Sequence, residues 1–169
     1  PRGWGGAVAL RRPGSLQFMT VSPPSPMGAS RAGVSISLDI DNEWAYMRTH
    51  GDVGWESFPT YLEPLFDTVL PWLDRQGLRI TFFVVGKDAS LEKNRDAFQR
   101  LGASGHEIGN HSFLHEQWRH LYTPEDLDRD IGTAEEHIER VTGQRTRGFR
   151  GPGFSLSPAT LEVLGRRGY

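Results

Sequence analysis

Segments with a strand-like pattern alternate with segments with a helix-like pattern along most of the chain, and this order constrains the fold more than any other feature. In Val34–Asp41 apolar and polar residues alternate, which is the period of a β-strand with one buried face. Pro124–Thr142 instead carries apolar residues at intervals of three and four, which indicates an amphipathic helix. Strands that alternate with helices favour a parallel sheet with helical crossovers. We therefore predict an α/β fold, with strands at Val34–Asp41, Leu78–Val85, Gly105–Asn110 and Thr146–Arg150, and with helices at Ser57–Gln76, Ser90–Leu101, Pro124–Thr142 and from Ser157 to about Gly165.

Local signals indicate where some of these elements begin and end. Ser57 is a suitable cap for the first helix, and Pro64 and Pro71 predict a kink or a break inside it. Thr123 and Gly143 are typical of the start and the end of the third helix. Four strand–helix units amount to half of an eight-stranded barrel. The pattern therefore leaves two architectures open, a small open α/β sheet or the front portion of a barrel.

The N-terminal residues 1–32 differ in composition from the rest of the chain. A third of the first 33 positions are glycine or proline, and residues 1–38 contain four arginines and no acidic residue. Such a segment buries too little apolar surface to become ordered by itself. We predict that residues 1–32 are a disordered or non-native extension and that residues 33–169 form the folded part.

Composition excludes several classes of protein. The 169-residue chain has a net charge of −2, which does not indicate a basic surface for nucleic acid. It contains no cysteine, so disulfides, thiolate zinc sites and cysteine nucleophiles are excluded. The apolar runs are shorter than a secretory signal and far shorter than the roughly 20 residues of a membrane-spanning helix. We therefore expect no membrane span and favour a cytoplasmic location, and the sequence leaves the oligomeric state open.

Two carboxylates lie near the carboxyl end of the first predicted strand. Asp39 and Asp41 are two positions apart, so both side chains point to the same side of the strand. They lie near its carboxyl end, the edge at which active sites form in α/β sheets and barrels. Two carboxylates that share a site repel each other unless a cation lies between them or one holds a proton. The alternative is a strand end that simply enters a polar loop.

A pair of histidines follows the third predicted strand and emerges at the same edge. His111 and His115 are four residues apart, a spacing that places both imidazoles on one face if the segment forms a helical turn. Two imidazoles and a carboxylate are a common ligand set for zinc, iron, cobalt or nickel. Ser112 stands where a helical zinc protease has its glutamate, so that class is disfavoured.

The fourth predicted strand ends in an arginine and a glycine-rich turn. Arg150 is placed to direct its guanidinium at a carboxylate, and the N–H groups of Gly151 and Gly153 are candidates to face a ligand. An ordinary Gly-Pro turn with a surface arginine is the alternative. The predicted loop Asn42–Glu56 contains further candidates of lower rank, His50 and Asp52. Three tryptophans, Trp44, Trp55 and Trp118, are candidates either to stack on a sugar ring or to cover a core.

Four stretches in a consistent order resemble the polysaccharide deacetylase family, the NodB-homology domain of carbohydrate esterases. They are SLDID at 37–41, TFFVVG at 81–86, GHEIGNHSFLH at 105–115 and FRGPGF at 149–154. The third stretch is the most specific, and the resemblance covers about residues 34–169. It implies an incomplete, distorted (β/α) barrel that forms the N-terminal portion of a deacetylase domain.

The resemblance also implies a set of residue roles. One divalent metal ion, most often zinc, would be held by Asp41, His111 and His115. Asp39 would be the general base, Arg150 would keep Asp39 ionised and oriented, and Gly153 would offer its N–H to the oxyanion. The implied partner is an N-acetylated glycan.

Three features depart from the family pattern. Many members have two adjacent acids in the first motif, whereas Ile40 separates Asp39 from Asp41 here, as in a D-x-D subgroup of the family. An aromatic residue commonly stands where this chain has Gly153. The later motifs, which supply the general-acid histidine, would lie beyond Tyr169, and we therefore expect these 169 residues to catalyse poorly even with metal bound.

The sequence thus predicts a metal-dependent hydrolase that removes N-acetyl groups from a carbohydrate. One alternative is a non-catalytic glycan-binding or regulatory domain with a decayed site. Another is a hydrolase of a non-sugar amide. An iron-dependent oxygenase with two histidines and one carboxylate is disfavoured, because that class generally has a double-sheet β fold.

Overall fold

The computed structural model describes residues 33–169, and over this range the protein is an α/β structure, as predicted. Three strands alternate with α-helices, and short 3-10 helices lie in several connections. The strands are β1 (Ser37–Ile40), β2 (Thr81–Val84) and β3 (Glu107–Asn110), and the helices are α1 (Glu43–His50), α2 (Leu62–Arg75), α3 (Gly86–Ser90), α4 (Arg95–Ala103), α5 (Pro124–Thr142) and α6 (Pro158–Arg167). The prediction for residues 1–32 lies outside the described range.

The sheet is parallel and has the order β1-β2-β3. Its register places Asp39 opposite Phe83 and Phe83 opposite Gly109. Because all three strands run in the same direction, their carboxyl ends meet at one edge. The fourth predicted strand is reduced to a single parallel bridge between Phe149 and Asn110. Gly148 and Gly151, which flank the pair Phe149 and Arg150, explain this, since glycine weakens strand pairing.

The main core lies between the sheet and helices α2, α4 and α5. Phe66 of α2 contacts Phe82 of β2 edge to face, with ring centroids 6.0 Å apart, and also packs against Phe98 of α4. All three rings are buried, so each contributes on the order of 2–3 kcal/mol of hydrophobic stabilisation. This packing fixes β2 in the middle of the sheet and so places its carboxyl end against those of its neighbours.

The predicted ends of α5 are confirmed, and α2 ends within one residue of its predicted end, but the predicted start of α2 is wrong. The Thr123 hydroxyl accepts a hydrogen bond from the Asp126 N–H at 3.1 Å, and Gly143 ends α5 in the left-handed conformation with φ 71°. Ser57, the predicted cap of α2, instead closes a 3-10 turn, and α2 begins five residues later. Pro71 lies inside α2 without ending it.

Two other segments differ from the predictions. The predicted loop Asn42–Glu56 contains α1, because Trp44 and Ala45 of this segment pack into a small core with Val85. The predicted helix Ser90–Leu101 is interrupted, since Leu91 is extended with φ −89° and ψ 128°. Among the apolar residues of the first predicted strand only Ile40 is buried, and Val34 is 87% exposed.

None of the helices in the described range combines the length and the apolar character that crossing a membrane requires.

A buried carboxylate joins the segment after β1 to α3. Asp88 is fully buried, and its Oδ1 accepts hydrogen bonds from the Asn42 side chain at 2.7 Å and from the Trp44 indole at 2.8 Å. Its Oδ2 has no hydrogen-bond partner within residues 33–169. Burial raises the pKa of Asp88, although the bonds from Asn42 and Trp44 act in the opposite direction. The position of α1 therefore depends on a carboxyl group for which the fold favours the protonated form.

We expect Asp88 to make the stability of the protein decrease as pH rises. In the folded state Asp88 keeps its proton at pH values above the ordinary pKa of 3.8, whereas in the unfolded state it does not. The contribution of protonated Asp88 to stability is therefore fully present below pH 3.8 and is lost as pH rises through the raised pKa. Relative to Asp88→Asn, the wild type should lose up to about 1.4 kcal/mol per pH unit across this window. Urea denaturation of both proteins from pH 3.5 to 8 measures the difference, and a difference independent of pH would contradict the expectation.

Candidate metal centre

The two carboxylates of the first motif face one cavity at the carboxyl edge of the sheet. Asp39 is the third residue of β1, and Asp41 follows its last residue. The cavity has a volume of about 190 Å³, and both residues line it together with His111 and His115. The structure therefore brings together the acidic pair and the histidine pair that the sequence singled out.

The two histidines lie in an irregular loop and not in a helical turn. Ser112 and His115 have φ values of 65° and 53°, which are uncommon for residues other than glycine. Hydrogen bonds stabilise this backbone: the Ser112 N–H donates to the Asn110 side chain at 2.8 Å, and the His115 N–H donates to the Ser112 hydroxyl at 3.1 Å. The loop, and not helical spacing, turns both imidazoles towards the cavity.

Asp41, His111 and His115 form a cluster of possible metal ligands. One ligand atom from each lies within 4.8 Å of the others. His111 Nε2 is 3.4 Å from Asp41 Oδ1, and His115 Nε2 is 3.3 Å from Asp41 Oδ2. Both histidines are buried, and the Asp41 side chain is only 16% exposed. The cluster offers nitrogen and oxygen donors of the kind that catalytic zinc sites use.

The hydrogen bonds around His111 make this cluster fit a cation. His111 Nδ1 lies 2.7 Å from the Arg150 carbonyl oxygen, an acceptor, so in the neutral ring Nδ1 carries the hydrogen and Nε2 has a free lone pair. Burial lowers the pKa of His111, although the charge of Asp41 opposes it, so the neutral ring is favoured. That lone pair then faces Asp41 Oδ1, which is buried and has no hydrogen-bond partner among the described residues. A positive ion between the two atoms removes this repulsion.

Asp41 itself is suited to remain ionised. Burial acts to raise the pKa of its carboxyl group, but the hydrogen bond and electrostatic attraction of His115 and the hydrogen bond from Tyr46 act in the opposite direction, and the pKa is lowered. A metal ligand has to be deprotonated, so the surroundings of Asp41 prepare it for that role.

Arg150 connects Asp39 with the histidine pair. Its Nη1 donates to Asp39 Oδ1 at 2.5 Å, and its Nη2 donates to the Ser37 hydroxyl at 2.6 Å. Its main-chain carbonyl is the acceptor for His111 Nδ1. One residue therefore holds the Asp39 carboxylate through its side chain and orients an imidazole through its backbone. Asp39 Oδ2 remains directed at the cluster, 3.9 Å from His111 Nε2.

An aromatic ring supports the arginine. The Arg150 guanidinium lies over the Phe83 ring, 4.2 Å from its centroid, which is a cation–π geometry. The Phe83 ring extends over the neighbouring strand at Gly109, where a Cβ would come within 2.5 Å of it. Glycine at 109 is therefore required for the ring to lie in this position and for Arg150 to reach Asp39 across it.

The glycine-rich turn forms another wall of the cavity. Gly151 and Gly153 line it, together with Phe154, whose side chain is 82% exposed. Gly153 has φ 61°, a conformation that favours glycine. A Cβ on Gly151 would come within 2.0 Å of the Ser155 carbonyl oxygen, so this turn also requires glycine there. The two glycines keep the backbone close to the cavity.

Several lower-ranked candidates do not join the site. His50 and Asp52 are exposed and do not line the cavity. Trp44 is buried in the small core and contacts Trp55, with ring centroids 5.6 Å apart. Trp118 is 59% exposed and does not line the cavity. Trp44 therefore covers a core, which is one of the two roles considered for the tryptophans, and is not exposed to stack on a sugar ring.

Sequence analysis did not identify two residues that support the site, one at the cavity and one behind it. Tyr46 lines the cavity from α1, and Asp130 of α5 accepts a hydrogen bond from the Phe113 N–H at 3.3 Å. Asp130 also forms an ion pair with the buried Arg119. These residues lie in segments without a recognisable motif, so only their tertiary contacts identify them.

Fold and site together define an α/β protein with a candidate metal centre at the carboxyl edge of a parallel sheet. Residues 51–169 match the family model for polysaccharide deacetylase. The chain belongs to the polysaccharide deacetylase family, as the motifs predicted, and its strands are part of the (β/α) barrel of that family. The matched range begins after Asp39 and Asp41, so their place in the site rests on the geometry above.

The chain is similar to several known proteins over part of their length. It is 30% identical over 104 residues to a chitin deacetylase from Colletotrichum lindemuthianum, which is 60% of this chain and 42% of that protein. The crystal structure of a putative polysaccharide deacetylase from Mycobacterium smegmatis shares the fold with a TM-score of 0.65 and 24% identity, over 80% of this chain and 48% of that one. The chain spans between a third and a half of the length of the curated relatives it matches.

A structure described as a pseudoenzyme shares this fold as well. It is a CE4 family protein from Bacillus anthracis, with a TM-score of 0.59 and 16% identity over 79% of this chain and 40% of that one. Family membership alone therefore does not establish catalysis, which depends on the side chains that occupy the site.

Proposed function

We propose that the protein is a metal-dependent hydrolase that removes N-acetyl groups from a carbohydrate, and that residues 33–169 form the N-terminal portion of its deacetylase domain. The observation that carries the proposal is the convergence of Asp41, His111 and His115 within 4.8 Å, with Asp39 directed at the same point. The chitin deacetylase among the relatives supports an N-acetylated glycan as the substrate class.

Asp41, His111 and His115 would hold the metal ion, for which zinc is the expected identity. When bound, such an ion supplies Lewis acidity and a water molecule whose pKa is lowered to about 7. Each ligand side chain is prepared by its own surroundings: Arg150 orients His111, the loop hydrogen bonds orient His115, and His115 favours the ionised form of Asp41.

Asp39 is the proposed general base. Asp39 Oδ2 lies 3.9 Å from His111 Nε2, farther than the Asp41 oxygens lie from the two histidines. This oxygen is therefore placed to accept a proton from a nucleophilic water beside the ligand cluster. Arg150 holds the opposite oxygen and fixes the orientation of the carboxylate. This separation assigns proton removal to one aspartate and metal binding to the other.

Gly153 is the proposed backbone donor to the oxyanion that develops on the acetyl group. Its left-handed conformation keeps the main chain at the wall of the cavity with no side chain in the way. A well-placed backbone donor of this kind contributes roughly 3–4 kcal/mol to the stabilisation of a transition state. The substrate would enter beside Gly153 and Phe154, where the cavity opens.

Release of acetate tests this function. The longest natural form of the protein should release acetate from an N-acetylated chito-oligosaccharide when zinc is present, and a chelator should abolish the release until zinc is restored. Coupled enzymatic detection of acetate provides the measurement. Zinc-dependent release from N-acetylated amides that are not sugars, and none from glycans, would reject the substrate class.

The pseudoenzyme neighbour supports a second candidate, a glycan-binding domain without catalysis. It predicts that the protein binds the oligosaccharide and releases no acetate at any zinc concentration. Presence of Asp39, Asp41, His111 and His115 in one cavity favours the enzyme over this candidate.

A further inference from the structure

Helix α1 places a tyrosine hydroxyl on the carboxylate of the proposed metal ligand. Tyr46 Oη donates a hydrogen bond to Asp41 Oδ2 at 3.1 Å. The Tyr46 ring also lies against His115, with ring centroids 5.8 Å apart. This residue therefore contacts two of the three residues of the cluster, although no motif in the sequence points to it.

The hydroxyl has little to do with the stability of the fold. Tyr46 is 44% exposed and is not part of any of the three buried clusters of the described residues. Its hydroxyl lies at the cavity and not in the interior. An exposed side-chain hydrogen bond of this kind contributes little to the free energy of unfolding. Fold stability therefore does not explain why the Tyr46 hydroxyl is directed at Asp41.

Other contacts already fix the main chain around Asp41. The Tyr61 hydroxyl donates a hydrogen bond to the Asp41 carbonyl oxygen at 2.8 Å. The side chains of Asn42 and Trp44 both donate hydrogen bonds to the buried Asp88 carboxylate. The backbone of this segment and the position of α1 are therefore set without Tyr46. What Tyr46 adds is control over the rotation of the Asp41 carboxylate.

We propose that Tyr46 is a positioning residue that orients Asp41 for metal binding. The inference rests on the proposed function, in which Asp41 is a ligand. By holding Oδ2, Tyr46 keeps the unpartnered Oδ1 directed at His111 Nε2, where a cation fits. Groups that hydrogen-bond to a ligand in this way typically affect metal affinity by about 10–100-fold.

Substitution by phenylalanine isolates the hydroxyl, because the ring and its contact with His115 remain. In the full protein, Tyr46→Phe should weaken Zn²⁺ binding by about 10-fold or more, measured by competition with a chromophoric chelator. Thermal unfolding of the metal-free protein should be unchanged. Tyr122→Phe is the matched control, since this tyrosine is half-buried and, in the part of the chain that the structure describes, forms a hydrogen bond through its main-chain N–H and none through its hydroxyl.

The variant Asp41→Asn separates failure of this inference from failure of the proposed metal centre. If Asp41→Asn binds zinc as tightly as the wild type, the metal centre itself is rejected. If Asp41→Asn is weakened while Tyr46→Phe matches the wild type or Tyr122→Phe, the metal centre stands and the role of Tyr46 is overturned. Weakening of Tyr46→Phe together with an unchanged unfolding temperature supports the proposal.

Discussion

Replacement of Asp39 by asparagine should reduce the rate of deacetylation by about 100- to 10,000-fold, the usual contribution of a general base. The amide keeps the size of the carboxylate and its oxygen can still accept from Arg150, but it cannot take a proton from water. Zinc affinity should stay within a few-fold of the wild type, because Asp39 lies outside the ligand cluster. Initial rates of acetate release and zinc titration on the same preparation measure both quantities.

Asp52→Asn is the matched control for this prediction. Asp52 is an exposed aspartate that does not line the cavity, so its amide variant should release acetate at the wild-type rate. An Asp39→Asn variant with full activity would remove Asp39 from catalysis. A variant that loses zinc affinity together with activity would instead make Asp39 a ligand, which contradicts the separation of roles between the two aspartates.

Replacement of His115 by asparagine should weaken zinc binding by more than about 100-fold, which exceeds the usual cost of losing a group that only supports a ligand. Asparagine tolerates the left-handed conformation that this position has, with φ 53°, so the backbone of the loop is preserved. In the part of the chain that the structure describes, His115 Nδ1 has no hydrogen-bond partner, so the substitution breaks no hydrogen bond of that atom there. Acetate release should fall with the fraction of protein that holds zinc.

His120→Asn is the control for non-specific zinc binding by histidine. This residue is exposed and lies in a 3-10 helix after the loop, so its loss should leave the affinity unchanged. Equal weakening by the two variants would indicate that zinc binds to surface histidines. Unchanged affinity of His115→Asn would exclude His115 as a ligand.

Much of the fold follows from local patterns. The alternating residues of β1, the apolar run of β2 and the capped stripe of α5 each carry their own signal, and the structure contains all three. The failures have local causes as well. α1 has weak amphipathic character and forms because Trp44 packs against distant residues, while the fourth strand is interrupted by glycine.

The site was predictable as a list of residues but not as an arrangement. The motifs named Asp39, Asp41, His111 and His115, and the structure places all four around one cavity. The histidine segment is not a helical turn, because hydrogen bonds from main-chain N–H groups to the Asn110 and Ser112 side chains stabilise an irregular loop instead. Which of the four side chains act as ligands stays a proposal for the experiments above.

The sequence by itself determined the alternation of strands and helices, the family, and the residue types that are available for metal chemistry. These follow from periodicity and from short motifs, which neighbouring residues specify. Only the tertiary structure decided that the Phe83 ring supports Arg150 where it reaches Asp39 and that Tyr46 holds Asp41. The physical reason is that parallel strands with helical crossovers bring together the ends of segments that are far apart in the chain, and no local pattern records which side chains meet there.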